Sequence, residues 1–309
     1  MNSARRKGTC RGVRRLIRAV VATAAITVSA TAACLVPATA DNGPATGGVR
    51  HPVYVALGDS MAAGPFVPRR TGPLACGRST HNYAHRLAAR LGARDFRDVT
   101  CSGAETGDLT APQRLTVLGA HAGAAPPQID ALTPGTTLVT LTIGGNDAGL
   151  VGVAGSCVRL SPVSGYCQDT FLRDGTDQEA ARIDGLGPKL GAALDAIHRR
   201  SPAARVLVTG YGDYLRAGGC WPAVPLLGSD ADWLQGSIDR MNGVIAAAAA
   251  THGAEYVDVR TPSEGHDACR APGAKWVEGF VPTAPAAPLH PNARGEQAYA
   301  EVILARMAQ

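Results

Sequence analysis

From about residue 50 onward, short apolar runs alternate with amphipathic stretches. Val53–Leu57, ended by Gly58, and the β-branched run Leu138–Ile143, ended by Gly144-Gly145, read as buried strands. Arg205–Thr209 and Glu255–Val259 read the same way, and Phe96–Cys101 is a less regular fifth. Between these runs the apolar spacing becomes helical. Tyr83–Leu91 follows Asn82, a residue suited to capping a helix. Ile183, Leu186, Leu190, Leu194 and Ile197 share one helical face, the Ala-rich segment Trp233–Ala250 predicts another helix, and a last helix covers Ala293–Met307. Strands alternating with helices predict βαβ units and a mainly parallel sheet covered on both faces. No Pro/Ser-rich linker divides the pattern, so residues 51–309 are expected to form one α/β domain behind a flexible Gly-containing lead-in at 41–50.

The first forty residues follow a different pattern. Seven cations and no acid lie there, ending at Arg18, and an Ala- and Val-rich run extends from Ala19 to Val36 before Ala38-Thr39-Ala40. A basic stretch, an apolar stretch and small residues at the end are the three parts of a secretory signal. Cleavage near Ala40 and an extracellular protein are expected. Thr and Ser dilute the apolar run, which argues against a permanent span of about 20 residues. Thr31-Ala32-Ala33 before Cys34 lacks the large aliphatic residue of a lipid-anchor signal, while Arg14-Arg15 is compatible with twin-arginine as well as general export. The leader also accounts for the formal charge of +5: without it, 23 basic residues face 25 acidic ones, and a nucleic-acid partner loses its support.

Export changes the reading of the cysteines. Cys10 and Cys34 fall in the leader, leaving Cys76, Cys101, Cys157, Cys167, Cys220 and Cys269. An even number in an exported chain points to disulfides, and sequential pairing gives the shortest loops among many open connectivities. No C-x-x-C pair is present and the histidines are scattered, so no metal site is expected. The Gly-rich stretch Gly149–Gly155 and the pair Gly185, Gly187 lack the G-x-G-x-x-G spacing of a dinucleotide site.

In an open parallel sheet, ligands bind beyond the carboxyl ends of the strands. Three segments follow strand runs there, and a fourth precedes the last helix. Gly58-Asp59-Ser60-Met61 can present a hydroxyl on a sharp turn, although Asp and Ser serve equally as helix caps. In Cys101-Ser102-Gly103-Ala104, Gly103 can bring its N–H close to a ligand; alone, this is an ordinary turn. Gly144-Gly145-Asn146-Asp147 offers a neutral amide donor in a composition common in turns. In Leu289-His290-Pro291-Asn292, Pro291 restricts His290 and Asn292 can cap the helix, which fixes an imidazole on a rigid loop as a general base requires. The remaining histidines lack such a setting.

Together these four segments resemble, in order and placement, the SGNH hydrolases, also called the GDSL esterase/lipase family. The similarity is greatest to its secreted actinobacterial branch and covers Tyr54–Gly64, Cys101–Thr106, Leu138–Asp147, Gly265–Cys269 and Pro288–Glu296. The resemblance implies a flavodoxin-like three-layer α/β/α sandwich with a five-stranded parallel sheet, and neither metal nor organic cofactor. It implies Ser60 as nucleophile, His290 as base, and an oxyanion hole made by Ser60 N–H, Gly103 N–H and the Asn146 side chain. It also implies the disulfides Cys76–Cys101, Cys157–Cys167 and Cys220–Cys269. Two positions depart from the family pattern. Met61 stands where Leu is usual, a swap of similar volume. Ala287 stands where members usually carry the Asp that orients the histidine. A main-chain carbonyl is then expected to hold the imidazole, Ala287 O first and Pro288 O second, with Asp258 and Asp267 as remote carboxylate candidates.

The expected activity is hydrolysis of carboxylic acyl or lipid esters through an acyl-enzyme on Ser60. Carbohydrate O-acetyl esterase and phospholipase A-type activity are the alternatives, with a non-catalytic binding protein on the same fold behind them. Gly149–Gly155 reads as an acyl-pocket wall or simple core. Trp221, Trp233 and Trp276 read as core or pocket walls rather than a row for stacking sugars. The expected partner is a small-molecule or lipid ester, met as a monomer that contacts lipid interfaces transiently.

Overall fold

In a computed structural model that describes residues 51–117 and 119–309, Val53–Leu57 and Leu138–Ile143 contribute adjacent parallel strands. The leader and the lead-in at 41–50 lie outside the described residues. Among the described residues nine strands are formed: β1 (Val53–Gly58), β2 (Asp95–Asp98), β3 (Gln113–Val117), β4 (Ala120–Ala125), β5 (Leu138–Thr142), β6 (Leu172–Arg173), β7 (Thr176–Asp177), β8 (Arg205–Thr209) and β9 (Glu255–Val257). Five of them pair in the order β2-β1-β5-β8-β9, every pairing parallel. Counting only these strands along the chain, the order is 2-1-3-4-5, the flavodoxin-like arrangement, whose ligand edge lies at the strands' carboxyl ends.

Among the described residues eight α-helices accompany the strands: α1 (Ser60–Ala63), α2 (Tyr83–Leu91), α3 (Gly145–Ala148), α4 (Leu150–Ser156), α5 (Gln178–Asp184), α6 (Leu186–Arg200), α7 (Gly228–Thr251) and α8 (Ala293–Met307). Alternation along each strand divides the core into two layers. Val55, Leu57, Val139, Leu141, Val206 and Val208 pack with Ile183, Leu190, Leu194, Met241 and Ile245 from α5, α6 and α7. Tyr54, Ala56, Leu138, Leu207 and Val257 pack on the other face with Tyr83 and Leu87 of α2 and Tyr299 and Ile303 of α8. Each such Leu, Ile or Val contributes roughly 1.5–3 kcal/mol by leaving water.

Several elements differ from the hydrophobic pattern for identifiable reasons. The helix expected over 183–197 is split into α5 and α6, because Pro188 lacks an N–H and belongs in a first helical turn. The strand expected over 96–101 ends at Asp98, whose carboxylate accepts the Thr100 N–H and hydroxyl and turns the chain. The last strand stops at Val257 because Asp258 accepts the N–H groups of Arg260 and Thr261. The antiparallel pairs β3–β4 and β6–β7 are not among the strands expected from the apolar runs.

Cys76–Cys101, Cys157–Cys167 and Cys220–Cys269 are bonded. The first anchors the chain immediately before Ser102 and Gly103. Among the described residues, no helix is long and apolar enough to cross a membrane, and no group of three His, Cys, Asp or Glu is placed to hold a metal ion.

Candidate active site

The turn after β1 is fixed from several sides. Gly58 N–H donates to Gln128 Oε1 (2.7 Å), and Gln128 Nε2 donates to Gly58 O (3.0 Å), so one amide side chain acts like a short neighbouring strand. Asp59 caps α1 by accepting the Met61 N–H at 2.8 Å. Ser60 follows as the first residue of α1, only 8% exposed, with its hydroxyl 2.7 Å from His290 Nε2.

His290 comes from the loop before α8. Asn292 starts that helix, its Oδ1 accepting the N–H groups of Arg294 and Gly295. Its Nδ2 donates to Lys275 O and Glu278 Oε1, which fastens the loop to the chain before it. Leu289 is held at φ 60°, in the left-handed region that a branched side chain seldom occupies. The bend turns the imidazole toward Ser60. Its Nδ1 lies 2.7 Å from Pro288 O. The expected first choice, Ala287 O, instead accepts the His290 backbone N–H at 3.1 Å and closes the turn, leaving Pro288 O to face the ring. These partners assign the proton to Nδ1, which donates to Pro288 O, and leave Nε2 free to accept from Ser60. Neither remote carboxylate hydrogen-bonds to the ring: Asp258 caps the turn after β9, and Asp267 pairs with Arg216 and Arg270. Burial holds the His290 pKa below its usual 6.5, while the bond to Pro288 O opposes that shift.

Gly103 and Asn146 stand on the loops after β2 and β5. Gly103 has φ 80°, a conformation that favours glycine, and a Cβ there would meet Gln113 Nε2 at 3.7 Å, an ordinary contact, so the backbone conformation rather than crowding selects the residue. Gln113 on β3 holds this loop by donating to Ser102 O at 2.9 Å. Among the described residues, the N–H groups of Ser60 and Gly103 donate to no protein acceptor. Asn146 Nδ2 donates to Ala104 O at 2.8 Å, which uses one of its two hydrogens and leaves the other for a ligand. The next residue ties the loops together: Asp147 accepts the Thr106 N–H (2.9 Å) and hydroxyl (2.6 Å).

A pocket of about 630 Å³, part of it open to solvent, adjoins Ser60 and Asn146. Leu150, Val151 and Ala154 of α4 form one wall, and Leu226, Leu234 and Ile238 form another. Val151 is 47% exposed at the rim, whereas Leu226, Leu234 and Ile238 are buried. The Gly149–Gly155 stretch is therefore a wall of this pocket. No Trp lines it: Trp233 stacks on Phe171, Trp276 on His266, and Trp221 donates to Arg159 O. Tyr211 and Tyr214 also line the pocket. Neither was a site candidate from sequence, although Tyr211 follows strand Arg205–Thr209 and the strand-end rule that selected the other loops applies to it equally.

A three-layer α/β/α sandwich that brings a serine and a histidine together at its carboxyl edge, beside an apolar pocket, defines a carboxylic ester hydrolase. The chain belongs to the GDSL-like Lipase/Acylhydrolase family, whose model matches residues 56–298. It is 40% identical over 257 residues to Lipase 2 of Streptomyces coelicolor, covering 80% of this chain and 83% of that one. It is 33% identical over 254 residues to a lipase of Streptomyces rimosus, covering 79% and 82%. Among solved structures, phospholipase A1 from Streptomyces albidoflavus matches at 30% identity and TM-score 0.69, over 82% of this chain and 98% of that one. The extracellular lipase from Streptomyces rimosus matches at 32% identity and TM-score 0.67, over the same shares.

Proposed function

We propose that the protein hydrolyses lipid-type acyl esters through an acyl-enzyme on Ser60. The observation that carries this reading is the 2.7 Å contact between Ser60 Oγ and His290 Nε2 beside a pocket walled by aliphatic side chains. Ser60 Oγ attacks the ester carbonyl as its proton passes to His290 Nε2. The negative oxygen of the tetrahedral intermediate is met by Ser60 N–H, Gly103 N–H and the second Asn146 amide hydrogen. His290 returns the proton to the departing alcohol. Water then attacks the acyl carbonyl and gives a proton to His290, which passes it to Ser60 Oγ as the bond to the acyl group breaks and the carboxylic acid leaves. Pro288 O fixes the tautomer throughout but, being neutral, stabilises the imidazolium less than a carboxylate would.

The apolar walls favour an acyl chain over an acetyl group on a polysaccharide. A phospholipid substrate is the second reading, favoured by the likeness to the Streptomyces albidoflavus phospholipase A1. The reading includes a single hydrolase domain over 51–309, exported behind a leader cleaved near Ala40. It works as a monomer and meets lipid surfaces transiently. Leu160 and Val163, 92% and 90% exposed in the loop that follows α4, suit such contact.

The test is labelling with a fluorophosphonate followed by an acyl-chain series of nitrophenyl esters and phosphatidylcholine. Labelling at Ser60, lost in Ser60→Ala, with the rate rising from acetyl to longer chains, is expected. A folded protein that is not labelled at Ser60 overturns the reading, and a rate confined to acetyl esters overturns its substrate class.

A further inference from the structure

The carboxyl end of β8 supplies a residue that touches two of the loops described above. The amide of Asn242, on α7, brackets the backbone of Tyr211: Oδ1 accepts the Tyr211 N–H (2.7 Å) and Nδ2 donates to Tyr211 O (2.8 Å). The phenol is thereby aimed from a fixed point into the edge of the pocket, where it is buried. Its hydroxyl donates to Asp59 Oδ2 at 2.6 Å and accepts the Gly145 N–H at 2.8 Å. The other oxygen of Asp59 accepts the Met61 N–H. An unbroken chain of hydrogen bonds therefore runs from Gly145, the neighbour of Asn146, through Tyr211 to Asp59 and Met61, which flank Ser60.

The fit depends on the residue at 145. A Cβ there would lie 3.2 Å from both Cε1 and the hydroxyl oxygen of Tyr211, so a side chain would push the phenol away. Beyond the ladder bond from Asp59 N–H to Thr142 O, the phenol is the next link between the turn after β1 and the loop after β5. An oxyanion hole assembled from separate loops works only if its donors keep their spacing to within about 0.5 Å. A crosslink between those loops supplies that constraint.

We infer that Tyr211 is a positioning residue for the ester hydrolysis proposed above, holding the Ser60 turn and the Asn146 loop at a fixed spacing through its hydroxyl. The inference rests on the roles given to Ser60 and Asn146. Removing the hydroxyl leaves one oxygen of the buried Asp59 and the half-buried Gly145 N–H without this partner, so the loops must shift to regain one. Burial already pushes the Asp59 carboxyl up to about 7, which adds to the pressure to rearrange.

The experiment measures Tyr211→Phe, Asn146→Ala and the double variant in the mature chain with a water-soluble nitrophenyl ester. Tyr211→Phe keeps the ring and is expected to lower kcat about 10- to 100-fold with KM within about twofold. If the phenol acts through the Asn146 loop, the double variant loses no more than about threefold beyond Asn146→Ala alone. Gly145→Ala approaches the same contact from the other side and is expected to reproduce the kcat loss, which keeps the test open should Tyr211→Phe fail to fold. Three outcomes overturn the inference: kcat unchanged in the folded Tyr211→Phe or Gly145→Ala variant, a loss lying wholly in KM, or losses that multiply with Asn146→Ala. Wild-type rates in Ser60→Ala and Asn146→Ala would instead overturn the site assignment beneath it.

Discussion

His290 Nδ1 is held by the carbonyl oxygen of Pro288 at 2.7 Å, so a neutral main-chain acceptor stands where a carboxylate completes a triad. A carbonyl fixes the tautomer without adding charge. The two remote acids should then be dispensable for chemistry. Asp258→Asn and Asp267→Asn are expected to keep kcat within about threefold of wild type, measured on a soluble ester. Asp267→Asn should nevertheless lower the melting temperature, because Asp267 is buried and pairs with Arg216 and Arg270. A loss of several orders of magnitude in either kcat would make that acid part of the machinery.

The acid limb of the rate profile follows from the burial of His290. Its pKa is held below 6.5, so the neutral, proton-accepting form persists to lower pH than a free imidazole allows. The kcat/KM profile should therefore reach half its plateau below about pH 6.5. The same shift affects stability. Between the folded and unfolded pKa values the unfolded chain binds more protons, so this residue makes stability fall as pH drops through that window. A midpoint above the ordinary imidazole range would contradict the buried, carbonyl-held ring.

Asp59 has the opposite sign. Burial raises it to about 7, so between its unfolded value of 3.8 and about 7 the folded protein binds the extra proton. Its contribution to stability is fully present below 3.8 and is lost as pH rises through about 7. Asp59→Asn should therefore gain stability relative to wild type at about pH 8 compared with about pH 5, read as the difference in melting temperature between the two. A difference independent of pH would show that Asp59 titrates normally.

On the proposed mechanism, the Asn146 amide bonds the reacting oxygen more strongly as negative charge develops there, so removing it should slow the chemical step. Asn146→Ala is expected to cost about 10²–10³ in kcat with little change in KM. Steady-state rates on one soluble ester decide it, and an effect confined to KM would give the amide a substrate-binding role instead.

Filling the pocket should separate chain lengths. Ala154 lines its α4 wall, and Ala154→Trp is expected to cut kcat/KM for long-chain nitrophenyl esters by about tenfold while sparing the acetyl ester. Equal losses across the series would mean that the acyl chain lies elsewhere.

Much of this arrangement is readable in the chain. Val53–Leu57 and Leu138–Ile143 announce a buried parallel sheet because each is a short run of apolar and β-branched residues ended by glycine, and β8 and α8 have the predicted limits. Ser60, Gly103, Asn146 and His290 are legible because each sits in a short segment that limits what the backbone can do. Tyr211 was not, since a tyrosine after Thr209-Gly210 carries no local signature and its partners lie at 59 and 145. The choice between Ala287 O and Pro288 O likewise depended on the left-handed bend at Leu289, which no glycine marks.

The two groups that meet at 2.7 Å in the site are separated by 230 positions along the chain. Ser60 opens the first helix, while His290 depends on the cap of the last, whose Glu296 accepts the Tyr83 N–H on α2. On the proposed mechanism, Ser60 has no base to activate it unless the segment that carries His290 returns from the far end of the chain to close the site. A truncation before His290 then leaves the serine without its partner, and one before α8 leaves the histidine loop without the helix that caps it.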